Sequence, residues 1–267
     1  MHPIKKLTGP LSELESAFAA ATRRRLGRDM VSCLVSGSRA SGDFLHDSDL
    51  DGVTIVRDAC RIKDIDYAAL KEHYGIRIGT GLMPEKEFLA CARGGADHRC
   101  CRCLFFFSWR LGNARVLAGR NVIKELPSRK AFLDRRLDAD LADDYWWAVL
   151  KGSPANVWRR EPRRHVGIII AICTRLLVSK GIFGKKRDLP SRIRRHFPRF
   201  HAVRLLRRAL ERRERWTEIE NDPAEIRAIR SDLRKFLALM AAHSIRPGQR
   251  AATRRAAIAH IRSHQRG

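Results

Sequence analysis

The chain has 267 residues, 44% of them hydrophobic and 7% aromatic, with 54 Lys/Arg against 29 Asp/Glu and a formal charge of +25. That apolar content excludes an intrinsically disordered chain, and the length allows one large domain or two of ordinary size. The longest apolar run, residues 166–178, is shorter than the roughly 20 residues that span a bilayer and contains Arg175, so it reads as a buried helix and no membrane partner is expected.

From the N-terminus, Lys5 and Lys6 are followed by no apolar stretch of signal length, so a cytoplasmic location is expected. Residues 11–26 place Leu14, Phe18, Ala21 and Leu26 at helical spacing; Ser12 and Glu15 form a capping box and Gly27 closes the helix. Residues 30–35 and 50–56 read as strands, with a Gly/Ser turn between them. Residues 64–74 read as a helix and 76–83 as a strand, and Pro84 opens a second helix whose first turn holds Glu85 and Glu87. Residues 104–109 and 114–117, separated by Gly112-Asn113, suggest a hairpin or tight strand connection.

The pattern changes after about residue 126. Helices are expected over 132–150, 165–179, 200–216 and 222–243; in the last, Asp222 caps, Pro223 takes the first position, and Ile226, Ile229, Leu233, Phe236, Leu237 and Met240 form one apolar stripe. Charge divides the chain at the same place. Residues 1–125 carry 20 Lys/Arg against 15 Asp/Glu, whereas residues 126–267 carry 34 against 14, so the net charge goes from +5 to +20. The expected architecture is α+β: a first domain over 1–125, with a small mixed sheet flanked by helices, followed by a basic helical bundle over 126–267. The bundle's arginines, among them Arg194, Arg195, Arg204, Arg207, Arg208, Arg212 and Arg215, suit a polyanionic nucleic-acid or protein partner, or a solvated helix surface.

Seven cysteines in a chain expected to be cytoplasmic read as thiols. Cys91, His98, Cys100, Cys101 and Cys103 are close enough in sequence to suggest zinc but lack paired C-x-x-C knuckles, so Cys103 reads first as the start of a buried strand.

The segment that carries chemistry is 34–53, Leu-Val-Ser-Gly-Ser-Arg-Ala-Ser-Gly-Asp-Phe-Leu-His-Asp-Ser-Asp-Leu-Asp-Gly-Val. Asp49 and Asp51, two apart along a strand, project to one side and suit one or two hard cations. Gly37 lets the backbone approach a phosphate, and Ser38 offers a hydroxyl and an amide. This run, from Gly37-Ser38-Arg39-Ala40-Ser41-Gly42 to Asp49-Leu50-Asp51, resembles the signature of the DNA polymerase β-like nucleotidyltransferase superfamily, and is nearest in form to its minimal and aminoglycoside-type members. The stretch Arg115–Arg120 is similar to the segment that often ends that family's catalytic domain. The resemblance implies Mg2+-dependent transfer of a nucleoside monophosphate, AMP in the first instance, from a nucleoside triphosphate to a hydroxyl acceptor, with release of pyrophosphate. It implies a two-metal site on Asp49 and Asp51, a nucleotide held by Gly37, Ser38 and Arg39, and a third acid on a later strand. Residues 76–81 contain none, which leaves Glu87 as the candidate third acid and a catalytically degenerate binder of nucleic acid or protein as the alternative. The acidic and aromatic residues of 138–147, with Trp146 and Trp147, are the one place in the second half that suits a cationic acceptor, or else form an amphipathic helix.

Overall fold

Side-chain alternation over two short apolar segments organises the first unit. In a computed structural model, which describes residues 12–45, 48–62, 64–93, 106–133 and 161–243, these segments become β1 (Met30–Ser36) and β2 (Leu50–Val56), paired antiparallel from Ser36 opposite Asp51 to Met30 opposite Val56. β3 (Ile78–Pro84) adds to β2 in parallel, and β4 (Ala114–Gly119) adds antiparallel to β1, giving a four-stranded mixed sheet in the order β3-β2-β1-β4. Helices cover both faces. On one face α1 (Glu13–Leu26) buries Leu14, Phe18 and Leu26 with Cys33, Val35 and Leu50. On the other face Leu34 and Ile55 pack with Phe88, Phe106 and Trp109.

The capping box forms as expected: Glu15 N–H donates to the Ser12 hydroxyl at 3.3 Å and Ser12 N–H to Glu15 Oε2 at 2.9 Å. α2 (Ser38–Ser41) is a single turn between Gly37 and Gly42. α3 (Ala68–Tyr74) starts later than its pattern suggested, because the carboxylates of Asp64 and Asp66 accept from the amides of Ile65 and Ala68, each at 2.8 Å, and hold the preceding chain in local turns. α4 (Glu85–Arg93) follows β3 directly.

From residue 106 on, where the structure describes it, the strand expected over 104–109 is corrected. Phe106–Ser108 is helical and continues into a wide π-type turn, Trp109–Asn113, with Gly112 at φ 106°. Three large aromatic side chains explain the error. Phe106, Phe107 and Trp109, none more than 4% exposed, are all buried, so this segment lacks the polar alternation that marks a half-buried strand, and a buried apolar run is compatible with either structure.

The chain divides into two units, residues 1–141 with 178–185 and residues 142–177 with 186–267. A short helix α5 (Arg129–Leu133) belongs to the first. The described part of the second is helical: α6 (Pro162–Ser179), α7 (Leu189–His196), α8 (Val203–Glu214), α9 (Trp216–Ile219) and α10 (Pro223–His243). Asp222 Oδ1 accepts from Ala224 N–H at 2.8 Å and starts α10, whose Ile229, Leu233, Phe236, Leu237 and Met240 are buried as the apolar stripe required. Asp232, 4% exposed, accepts from Arg208 at 2.7 Å and Arg212 at 2.6 Å, and Arg212 also bonds Glu225 at 2.8 Å, so two arginines of α8 are bound to α10. No described helix is long and apolar enough to cross a membrane. The Cys91 to Cys103 cluster, the 138–147 segment and residues 248–267 lie outside the described side chains; the described Cys33, Cys60 and Cys173 are thiols.

Two measurements check this packing. A Cβ on Gly52 would lie 2.4 Å from Phe18 Cζ, so Gly52→Ala is expected to lower stability by about 1–3 kcal/mol in urea unfolding. Asp232→Asn leaves two guanidiniums facing a neutral amide and is expected to cost about 3 kcal/mol, read as a lower midpoint in the same assay.

Candidate functional site

The β1–β2 register sets the site. Because Ser36 is opposite Asp51, the chain leaving β1 at Gly37 passes directly beside the Asp51 side chain. Gly37 has φ 72° and ψ −142°, a conformation close to glycine-only territory, and a Cβ there would lie 3.0 Å from Asp51 Oδ2. On the other side of Asp51 is β3, where a Cβ on Gly79 would lie 3.6 Å from Asp51 Oδ1. The carboxylate therefore stands, exposed to solvent, in a notch between two glycines.

Asp49 lies on the same face. Leu50 between them is fully buried against the α1 side, and alternation turns its two neighbours the opposite way. Asp49 Oδ2 accepts from Arg77 Nε at 2.9 Å and Arg77 Nη2 at 2.8 Å; this pair is at the surface, with the Arg77 side chain 61% exposed and that of Asp49 37%. Backbone pairing brings the two residues together, since Leu50 N–H donates to Arg77 O at 2.9 Å.

The Gly-Ser bend is fixed from behind. Gly37 N–H donates to Asn113 O at 3.2 Å, and Ser41 Oγ donates back to the carbonyls of Gly37 and Ser38 at 3.1 and 3.2 Å. Gly37 thus contributes its missing side chain rather than its amide. The amides of Ser38, Arg39 and Ala40 open the α2 turn ahead of its first backbone bond, Ser41 N–H to Gly37 O at 3.1 Å, and the half-buried Ser38 hydroxyl lies beside them.

Arg39, expected at the nucleotide, has protein partners of its own. Arg39 is 9% exposed; its Nη2 donates to Ser48 O at 2.9 Å and its Nε to Asp49 O at 3.3 Å, and the guanidinium lies 5.0 Å from the Phe44 ring centroid. Burial pulls its pKa down, with the carboxylates of Glu15 and Asp49 opposing that shift. It clamps the segment that presents Asp49. Glu87 is not brought to the site. β3 runs parallel to β2 with Gly79 beside Asp51 and Pro84 beside Val56, so the first turn of α4 begins about 16 Å away, at the opposite end of the sheet. Glu85, in that same turn, pairs with Arg120.

Two contributors escaped the sequence. Arg77 lies in a segment that the sequence marks only as a strand without an acid, and Asn113 is there only half of a Gly-Asn turn. Glu15 does more than cap α1: its Oε2 also accepts from Arg115 at 2.6 Å, joining α1 to β4. Among the described residues no group of three or more His, Cys, Asp and Glu side chains converges. The candidate donor set for a hard divalent cation is the Asp49 and Asp51 pair, two carboxylates on one face, with no side chain at Gly37 or Gly79 beside Asp51.

No family model matches the chain, and no curated protein is similar to it in sequence. Among solved structures it is similar to the spectinomycin adenyltransferase AAD(9) from Enterococcus faecialis, crystallised with ATP and spectinomycin, at 13% identity and a TM-score of 0.45 over 84% of this chain and 100% of that one. What the site can do is argued below from its own geometry.

Replacing Arg39 by Met removes both clamping bonds while keeping most of the side-chain volume. The amides of Leu45 and Ser48, bonded to Ser48 Oγ and Leu45 O, should then exchange with solvent at least about tenfold faster by hydrogen-exchange mass spectrometry, with the β1 and β2 amides unaffected.

Proposed function

We propose that the chain is a nucleotidyltransferase that moves a nucleoside monophosphate, AMP in the first instance, from a nucleoside triphosphate to a hydroxyl acceptor. The observation that carries the reading is the Asp51 carboxylate set against the side-chain-free Gly37, with Asp49 on the same face and the Ser38 hydroxyl at the bend. A polyphosphate lying along this bend meets the Ser38 amide and hydroxyl with no Cβ at Gly37 in the way. Asp49 and Asp51 would hold Mg2+, which when bound neutralises charge on the triphosphate and on the pyrophosphate that leaves. The acceptor hydroxyl oxygen attacks the α-phosphorus as the bond to the β-phosphate oxygen breaks, the hydroxyl proton passes to solvent as pyrophosphate leaves, and the protein's part is to position and orient both groups.

Arg77, standing beside Asp49 where a third carboxylate would complete the acid set, favours a second reading in which the site binds nucleotide and transfers it slowly or not at all. Surface charge supports an anionic acceptor. Arg194, Arg195, Arg204 and Arg207 are exposed on α7 and α8, whereas Arg208, Arg212 and Arg215 make intramolecular ion pairs. Enough free cationic surface remains for a polyanion such as RNA, whose binding would weaken with salt.

Incubation with α-labelled ATP and Mg2+, with RNA, protein or aminoglycoside as acceptor, tests both readings. Pyrophosphate release that falls at least about a hundredfold in Asp49→Asn and Asp51→Asn establishes the transferase. Nucleotide binding without release in the parent chain establishes the second reading, and absence of both binding and release refutes the two together.

A further inference from the structure

One oxygen of the Asp49 carboxylate is already covered. Both Arg77 donors, Nε and Nη2, rest on Oδ2. Their partner is not locked in place: the Arg77 side chain is 61% exposed, and an exposed pair of this kind shifts an equilibrium by up to about fivefold. The next positions outward on the same face of β3 are Gly79 and Gly81, and a Cβ on Gly81 would meet nothing within 4 Å, so no side chain of the strand bars the guanidinium from crossing toward Asp51 and the bend. The electrostatics are unequal for two incoming species. A lone divalent cation approaching Asp49 has to displace the Arg77 guanidinium from the carboxylate and leaves it facing a dication. A cation already bound to a triphosphate brings phosphate oxygens that match the planar fork of the displaced arginine.

We propose that Arg77 is an exchange residue: it holds Asp49 in the nucleotide-free chain and moves to a phosphate oxygen of the incoming triphosphate as the divalent cation takes Asp49. Cation and triphosphate therefore load together, and the cation alone binds weakly. This rests on the reading of Asp49 and Asp51 as the metal and nucleotide site. Arg77 acts here as a positioning residue and, once exchanged, as a direct ligand of the substrate.

The test is Mn2+ binding to the full chain, followed by electron paramagnetic resonance with no nucleotide present, alongside calorimetric binding of a non-hydrolysable ATP analogue with Mg2+. Arg77→Ala is expected to tighten Mn2+ alone by up to about fivefold while weakening the nucleotide by roughly tenfold. Opposite signs in the two titrations are what a merely structural arginine would not produce. Equal Mn2+ affinity in the parent and in Arg77→Ala, with Mn2+ lost in Asp51→Asn, overturns the exchange and leaves the metal-site reading standing. Failure of every protein to bind Mn2+, with or without nucleotide, overturns both.

Discussion

The antiparallel register of β1 and β2 is the constraint on which the site depends. With Ser36 opposite Asp51, the bend at Gly37 and the carboxylate of Asp51 are adjacent without any long-range folding event beyond a two-strand pairing. A slip of one residue would turn Asp51 toward α1 and bring Leu50 out of the core, so the burial of Leu50, Cys33 and Val35 specifies the same register that the chemistry needs. Stability and site geometry are here one requirement.

Around that pairing the remaining groups act mostly to restrict. Phe18 closes on Gly52, and Asn113 takes the Gly37 amide. Arg39 ties the segment before β2 to the α2 turn through two carbonyls, a use that puts its charge nearly out of water and lowers its pKa. Glu15 joins the start of α1 to β4 through Arg115. The two carboxylates that face outward, Asp49 and Asp51, are thus carried by a backbone held from both sides. Such preorganisation is what an electrostatically driven transfer asks of its protein.

The basic second half separates into two populations once its partners are seen. Arg208 and Arg212 converge on the buried Asp232 and serve the packing of α8 against α10, while exposed arginines on α7 and α8 remain to set the surface field. A count of charges treats them alike, since sequence alone does not reveal which acids they meet. The same limit explains Arg39. Its place in a Gly-Ser-Arg run suggests a phosphate ligand, yet the nearest acceptors in the fold are the carbonyls of Ser48 and Asp49, nine and ten residues on.

Local chemistry made much of this protein legible: the capping box of α1, the strand alternation that puts Asp49 and Asp51 on one side, the side-chain-free glycine at the bend and the apolar stripe of α10 all follow from residues a few positions apart. The aromatic run at Phe106–Trp109 was the exception, because uniform burial erases the periodicity by which strand and helix are told apart. What the tertiary structure alone decided was adjacency between distant segments. It set Arg77 against Asp49, Gly79 against Asp51 and Glu87 at the far end of the sheet, and all three follow from the parallel pairing of β3 with β2. Strand direction and neighbour are fixed by how whole faces pack, and no local run of residues encodes them.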